Sequence, residues 1–280
     1  MTMAATSILP AIPREIPIRT PELDFETPIP NHWLAGNAVA THIFNGMNLV
    51  FPDGERFFIQ AVRDCMAQVE DPELVRQVRA FYGQEACHAR EHERYFQTLE
   101  RQGYQIQPFL RRFRAFIGSS TRFLPAPLRL SLTAGAEHYT ATFGAFALED
   151  AMLAEAHPTM RRLILWHATE EIEHKHVAFD VLRATHPSHL LRVSGYALAT
   201  FDLFAWGLLG ARMLIRQDLA AGRLTPTTRK QHAADLRERR SYALPWLKER
   251  VAAYWRRDFH PCDTDELPLA HRKLAELGIA

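Results

Sequence analysis

Hydrophobic positions recur with the spacing of an α-helix along most of the chain beyond its first thirty-five residues. No stretch alternates between hydrophobic and polar residues for long enough to predict a sheet. A short helix is predicted over 38–49, and the periodicity restarts after the turn Phe51–Gly54. Longer helices follow, each with a proline near its start, at Pro72, Pro127 and Pro158. The pattern predicts an all-α protein.

The sequence divides into three segments. Residues 1–35 include six prolines, which block a long helix and predict an extended arm. Residues 36–187 hold a predicted helix bundle, and residues 188–280 form a helical extension expected to pack on it. The longer predicted helices cover 55–69, 72–103, 127–155, 158–185, 193–215, 227–239 and 244–255, with a last short helix near residue 269. The stretch 108–126 is predicted to be a long loop that crosses the bundle.

Polar side chains stand at core positions of four of these helices. In chain order they are Glu55, Glu85, His88, Glu137, His167, Glu171 and His174. Two helices carry a single glutamate and two carry Glu-x-x-His, in alternation. The first two of these glutamates are 30 residues apart and the last two are 34 apart. Two antiparallel helix pairs of similar length would therefore bring all four glutamates to one level.

Charge indicates what such a cluster would bind. Four buried carboxylates without compensation would cost many kcal/mol or would take up protons. Two divalent cations would cancel the four negative charges, and neutral imidazoles would complete the coordination. Oxygen and imidazole donors without thiolates favour two iron ions, manganese or a mixed pair over zinc. We therefore expect a di-metal centre bound by these seven residues.

Three neighbouring residues are expected to support the site. Gln84 and Glu170 directly precede core-facing glutamates and are candidates to hydrogen-bond the ligand histidines. His92 lies two turns, about 10 Å, beyond Glu85, so it is expected to line a pocket or support the site. Three polar residues fall outside the core-facing positions of their helices and are predicted at the surface or between helices: His138, Glu173 and His176.

The order Glu, Glu-x-x-His, Glu, Glu-x-x-His over 36–185 resembles the ferritin-like di-iron carboxylate proteins. This resemblance implies a ferritin-like four-helix bundle with a di-metal core. Gln84 and Glu170 stand where many members carry Asp. His167 resembles the added histidine ligand of the di-iron N-oxygenases that oxidise arylamines. The segments FPDGERFF, QEACHAREH and EEIEHKHVAFDVL are most similar to a bacterial family named predicted metal-dependent hydrolases.

The di-iron resemblance implies an oxidoreductase that activates dioxygen to oxidise or oxygenate a small, apolar or aromatic substrate, with a separate electron donor. A first alternative is a di-metal-dependent hydrolase, in which two metal ions lower the pKa of a water and hold an ester or phosphate. A second alternative is a non-catalytic, ferroxidase-like iron-binding protein. The long C-terminal third argues against the second alternative, since such a protein would be a bare four-helix chain.

Composition narrows the expected partners and cellular compartment. The net charge of +1, from 33 basic and 32 acidic residues, leaves no basic excess for a nucleic-acid partner. The three cysteines form no C-x-x-C pair and no signal peptide is apparent, which predicts a reducing cytoplasm. The apolar stretch 193–215 is expected to be buried on most sides or to form a subunit interface, with a homodimer as the default. Contact with a membrane is the alternative for this stretch.

Overall fold

Eleven α-helices account for most of the described chain. A computed structural model describes residues 15–149, 151–241 and 243–279, and within these ranges it contains α-helices, three short 3₁₀ helices and no strand. The α-helices, numbered α1 to α11, are Ala38–Asn48, Phe51–Arg63, Pro72–Arg101, Gln107–Phe123, Ala126–Glu149, Pro158–His174, Val177–Thr185, His189–Ala220, Pro226–Arg239, Ala243–Ala253 and Leu267–Leu277. The prediction of an all-α protein is confirmed.

Helices α2, α3, α5 and α6 form the bundle around the polar interior. Helix α2 packs against α3, α5 packs against α6, and α5 also contacts α7 and α8. Helix α3 begins as the sequence predicts, because the Asp71 carboxylate accepts the N–H of Glu73 and Pro72 occupies the first turn. After its end, Gly103 has a φ of 88°, a conformation that favours glycine. The expected bundle around a buried carboxylate and histidine cluster is therefore present.

The predicted loop 108–126 is wrong, because most of it forms helix α4. This helix buries Phe109, Leu110 and Phe113 on one face, and the ring of Phe113 lies 5.2 Å from that of Trp206 in α8. Glycine, serine and threonine near its end lower its intrinsic helix propensity. Packing of the apolar face against α8 stabilises the helix despite that composition.

The predicted helix over 158–185 is also wrong in one respect, because it is two helices. Lys175 and His176 separate α6 from α7, and both are buried. The Lys175 ammonium donates to the Glu266 carboxylate, and His176 Nε2 lies 3.2 Å from Gln77 Oε1. These partners come from distant regions of the chain, so the local periodicity did not indicate them.

Residues 15–35 of the predicted arm contain no helix and lie against the bundle. The buried apolar side chains of this segment are Ile16, Leu23, Phe25, Ile29, Trp33 and Leu34. The Pro17 carbonyl accepts a hydrogen bond from Gln84 of α3, and Arg19 binds Glu173 of α6. The first fourteen residues of the arm lie outside the described residues. The division of the chain into three segments stays a prediction.

Helix α8 packs closely on one side and is open on the other. A Cβ atom built on Gly46 of α1 would lie 2.3 Å from the carbonyl oxygen of Gly207 in α8, so only glycine fits at this crossing. Burial of α8 on most sides within the chain is contradicted, since 28% of its most apolar window is buried. The alternative of a subunit interface stays a prediction. Among the described residues, α8 is the helix that is long and apolar enough to cross a membrane by length and composition.

Candidate metal centre

The seven predicted ligands meet inside the bundle. Helix α2 supplies Glu55, α3 supplies Glu85 and His88, α5 supplies Glu137, and α6 supplies His167, Glu171 and His174. All seven side chains are buried, and the most accessible of them is 5% exposed. Spacings of three and four residues place the α3 and α6 members on one face of each helix. The local periodicity of each helix therefore aims these side chains inward.

One group of donor atoms surrounds His174. Its Nε2 lies 3.0 Å from Glu85 Oε1, 3.2 Å from Glu137 Oε2 and 3.5 Å from Glu171 Oε2. One donor atom from each of these four residues lies within 4.8 Å of every other. Donors about 2 Å from one cation are separated by up to about 4 Å, so a small local adjustment would bring all four onto one ion.

A second group lies beside the first. His167 Nε2 is 2.7 Å from Glu171 Oε1 and 3.7 Å from Glu55 Oε1. His88 Nδ1 is 3.5 Å from the same Glu171 oxygen and 4.0 Å from Glu85 Oε1. Glu85 and Glu171 therefore belong to both groups and lie between them.

Many donor atoms of the cluster have no hydrogen-bond partner in the part of the chain that the structure describes. Both carboxylate oxygens of Glu55, Glu85 and Glu137 are buried without a hydrogen bond, as are His88 Nδ1 and His174 Nε2. Native proteins leave few buried polar atoms unsatisfied, because each costs about 1–3 kcal/mol or more. The orphaned atoms point toward one another, and metal ions would satisfy them together. The donor set thus fits the expected kind of group.

Burial opposes ionisation of most of these carboxylates. Loss of solvent first, and neighbouring carboxylates second, raise the pKa of Glu55 and Glu85 well above the usual range. Burial and the neighbouring Glu171 raise the pKa of Glu137 to about 7. For Glu171 burial acts in the same direction, but the adjacent His174 and other histidine contacts lower its pKa well below the usual range. Positive charge is therefore needed to keep all four ionised near neutral pH.

Two outer partners orient histidines of the cluster. His88 Nε2 lies 3.0 Å from Glu170 Oε2, and His174 Nδ1 lies 2.8 Å from Gln84 Oε1. The contacts are reciprocal between helices, because α6 supplies the partner of the α3 histidine and α3 supplies the partner of the α6 histidine. Each contact leaves the other ring nitrogen facing the carboxylates. Outer partners of metal-bound histidines have this arrangement.

The third histidine of the cluster is held by another histidine. His167 Nδ1 lies 2.6 Å from His92 Nε2, which leaves His167 Nε2 toward the carboxylates. The ring of Phe51 lies 5.0 Å from each of these two rings. His92 thus contacts a candidate ligand, as the sequence suggested for a supporting residue. Its Nε2 faces His167 and its Nδ1 is buried without a hydrogen bond.

Two charged residues behind this site, Arg19 and Glu173, were not predicted to support it. Arg19 of the arm donates to both carboxylate oxygens of Glu173 at 2.8 and 3.0 Å. Glu173 was predicted at the surface or between helices, but it is buried between the arm and the bundle. It also accepts the Gln84 side-chain N–H, which turns Gln84 Oε1 toward His174. No periodic signal marks Arg19, because it lies in an extended segment.

An apolar cavity of about 60 Å³ lies beside the cluster. Its inner wall includes Phe51, Gly54, which precedes Glu55, and Ala136, which precedes Glu137. Among the described residues, its lining contains no lysine or arginine. The cavity could therefore accept an apolar group next to the candidate ligands, with Phe51 standing between it and the histidines.

A second buried group of possible ligands lies elsewhere. Nε2 of His32 and of His42 lie 2.7 and 2.6 Å from one oxygen of Asp218. The other oxygen of Asp218 accepts hydrogen bonds from Tyr104 and Arg223. Burial raises the pKa of Asp218, but these hydrogen bonds lower it far more, so the carboxylate stays ionised. Because Arg223 already balances the charge of Asp218, this group needs no metal ion to neutralise it.

The fold and the site together define a helical protein whose buried glutamates and histidines are able to hold metal ions. The sequence pattern of a family described as predicted metal-dependent hydrolase matches residues 17–265, which is most of the chain. The chain therefore belongs to this family of predicted metal-dependent hydrolases. No curated protein and no solved structure matches the chain.

The family changes the functional expectation. The prediction of an oxidoreductase is wrong, because the family is described as hydrolytic and thus favours the first alternative. The predicted resemblance to this family is confirmed, and so is a metal-binding, helical protein. The relation to ferritin-like and arylamine-oxidising proteins, the identity of the metal and the cytoplasmic location stay predictions.

Proposed function

We propose that this protein is a two-metal-dependent hydrolase that cleaves a carboxylic ester with an apolar acyl group. The observation that carries the proposal is the buried set of orphaned carboxylate and imidazole atoms next to an apolar cavity. Family membership supports hydrolysis as the reaction. A neutral ester suits the site better than a phosphate, because the described lining of the cavity offers no lysine or arginine to bind a phosphate dianion.

The proposed ligands divide between two cations. One cation would take Glu85, Glu137, Glu171 and His174. The other would take donors from two overlapping groups, which are Glu55 with Glu85 and His88, and His88 with His167 and Glu171. The oxygen and imidazole donors favour manganese or iron over zinc. When bound, such a pair supplies Lewis acidity and makes water more acidic.

The remaining residues orient the ligands and control access. Gln84 and Glu170 hold His174 and His88 so that one nitrogen of each faces the carboxylates. Phe51 covers the histidines on the cavity side and excludes bulk water there. Hydrolysis joins the oxygen of water to the acyl carbon and breaks the acyl carbon–oxygen bond. One proton goes to the leaving alcohol, and the acid is released as its carboxylate and a proton.

Metal reconstitution tests this proposal. The purified chain is analysed for metals, stripped with a chelator and reloaded with manganese, ferrous iron or zinc, and hydrolysis of p-nitrophenyl esters of increasing acyl length is followed. We expect activity to require metal and to favour short apolar acyl chains, because a cavity of about 60 Å³ holds only a few carbon atoms. Glu137→Gln should lower kcat/KM by more than the roughly 10–100-fold typical of outer hydrogen-bond partners. The exposed Glu100→Gln on α3 is the matched control.

Two outcomes would contradict the proposal. One is metal binding with no cleavage of esters by any of the three reloaded forms. The other is equal ester cleavage by the stripped protein, the reloaded protein and the Glu137→Gln variant, which would place the chemistry elsewhere.

A further inference from the structure

Helix α8 presents an apolar face to the surface. Six large side chains share one side of the helix and are 38% to 74% exposed: Leu190, Leu198, Phe201, Phe204, Leu208 and Leu209. Single exposed apolar residues are ordinary, but a contiguous row of this kind marks an interaction site. These six residues are named the α8 face.

The opposite side of α8 belongs to the fold. Gly207 contacts Gly46 of α1 without room for a Cβ atom, and Gly195 approaches Ser131 of α5 equally closely. Asp218, near the end of α8, is buried in its ion network. A helix that crossed a bilayer would have to break these contacts and carry the buried carboxylate with it. The α8 face is therefore suited to a partner that lies along the surface of the protein.

Basic residues adjoin the α8 face. Arg212 and Arg216 are exposed farther along α8, and Arg112 and Arg122 are exposed on α4, which packs against α8 at Trp206. Among the described residues, none of these four arginines has an acidic oxygen within 4.0 Å. Pairing of the face with a second copy would collect the same arginines from both copies without acidic partners. An anionic lipid surface complements both the apolar face and the arginines.

The cavity beside the metal centre lies on a different side of α8 from the α8 face. Its lining on this helix is Ala199, Asp202, Leu203 and Trp206. At 3.6 residues per turn, these side chains project on average roughly 150° away from those of the α8 face. The α8 face is therefore separate from the wall of the cavity.

We propose that the α8 face docks the protein on an anionic membrane surface. The apolar side chains of the face enter the boundary between the headgroups and the acyl chains, and the neighbouring arginines contact anionic headgroups. This docking uses a surface apart from the cavity and goes beyond the proposed hydrolytic function.

Vesicle flotation with the purified full chain tests the docking. We expect binding to vesicles of phosphatidylcholine with phosphatidylglycerol, and much weaker binding to phosphatidylcholine alone. Phe201→Ser combined with Leu208→Ser should lower partitioning by at least about tenfold, because each removes a large apolar side chain from the contact. Leu244→Ser changes an exposed leucine on α10, outside the α8 face, and should leave binding unchanged.

Charge variants separate the electrostatic contribution to docking. Replacing Arg112 or Arg212 by Gln should weaken binding to the anionic vesicles about fivefold for each change. Arg237→Gln on α9 removes an exposed arginine away from the α8 face and should have no such effect. Circular dichroism of every variant confirms that the helical fold is retained.

The outcomes distinguish docking from the proposed hydrolysis. Cleavage of soluble esters without vesicle binding would overturn the docking proposal and leave the hydrolase standing. Vesicle binding without cleavage of any ester would overturn the proposed function and leave the docking proposal standing. A dimer in light scattering that Phe201→Ser and Leu208→Ser dissociate, without vesicle binding, would assign the α8 face to a second copy. Binding that resists both high salt and alkaline carbonate would indicate insertion instead of surface docking.

Discussion

At the scale of single residues, the orientation of three imidazoles decides what the cluster can bind. His88, His167 and His174 each contact a partner through one ring nitrogen and turn the other toward the carboxylates. The sequence indicated Gln84 and Glu170 as partners because each precedes a core-facing glutamate. It did not indicate that each would hold the histidine of the opposite helix, since that depends on the relative height of α3 and α6.

Glu170 gives a direct test of this orientation. Glu170→Gln keeps a hydrogen-bond acceptor near His88 Nε2 but removes its negative charge, so the imidazole becomes a weaker donor to a metal ion. We expect metal affinity, measured by titration calorimetry on the stripped protein, to fall roughly 10–100-fold. Glu100→Gln should bind metal like the unchanged protein. Equal affinities of both variants would show that Glu170 does not tune the site.

Asp202 gives a pH-dependent prediction on stability. Burial raises its pKa to about 6, so the folded state keeps the proton between about pH 4 and 6 while the unfolded chain loses it. The free energy of unfolding therefore falls over this interval and stays lower above it. Because the side chain is partly exposed, the loss discounted for solvent is about 1 kcal/mol.

Asp202→Asn should remove that loss. Urea unfolding gives the free energy of unfolding of both proteins at pH 4.5 and pH 7.5. The difference between variant and unchanged protein should shift by about 1 kcal/mol in favour of the variant from the lower to the higher pH. A constant difference across this range would mean that the carboxyl group titrates as it does in water.

At the scale of elements, the local sequence favours a helix in α3, whereas in α4 it does not and packing stabilises the helix instead. Helix α3 has an N-cap at Asp71, a proline in its first turn and a glycine after its end, so its bounds follow from the sequence. Helix α4 has glycine, serine and threonine in its last turns and was predicted as a loop. Its helical form depends on aromatic contacts to Trp206, which lies about ninety residues away.

Replacement of glycine by alanine should have opposite effects on stability at two helical positions, one at the crossing of α1 and α8 and one on α4. Gly46→Ala places a methyl group against the backbone of Gly207, so the free energy of unfolding should fall by about 1–3 kcal/mol. Gly118→Ala on α4 meets no atom within 4 Å and should raise it by up to about 1 kcal/mol. Chemical denaturation of both variants measures the contrast. A stabilised Gly46→Ala protein would refute the close crossing.

At the scale of the whole molecule, the metal centre and the stability of the fold are linked. Without cations, burial and the neighbouring Glu171 hold the pKa of Glu137 at about 7. The free energy of unfolding therefore falls as pH rises from the usual pKa of a glutamate, 4.5, toward 7. Metal ions bind the folded state and add about 4 kcal/mol per site at a thousand times the dissociation constant.

Glu137→Gln should therefore separate stability from metal binding. At pH 8 the metal-free variant should unfold at a higher temperature than the metal-free unchanged protein, by the equivalent of roughly 1–3 kcal/mol. Added manganese should raise the melting temperature of the unchanged protein much more than that of the variant. Calorimetry with and without metal measures both effects, and an unchanged metal response would remove Glu137 from the ligand set.

The sequence by itself determined the helical class, the starts of α3, α5 and α6 to within one residue, and the set of inward polar residues. These depend on local periodicity and capping, which each segment carries alone. It also indicated the need for positive charge, because four core-facing carboxylates are unstable without it. The expectation of dioxygen chemistry came from a resemblance in ligand order, and family membership corrected it.

The tertiary structure alone decided how these residues combine. It brought Arg19 of the arm behind Glu173 and Gln84, turned the loop before α5 into a helix, and left one face of α8 exposed. Each of these depends on contacts between segments far apart in the chain, whose relative position follows from packing of the whole core. Local pattern contains no information on that position, because a helix face can be buried by many different neighbours.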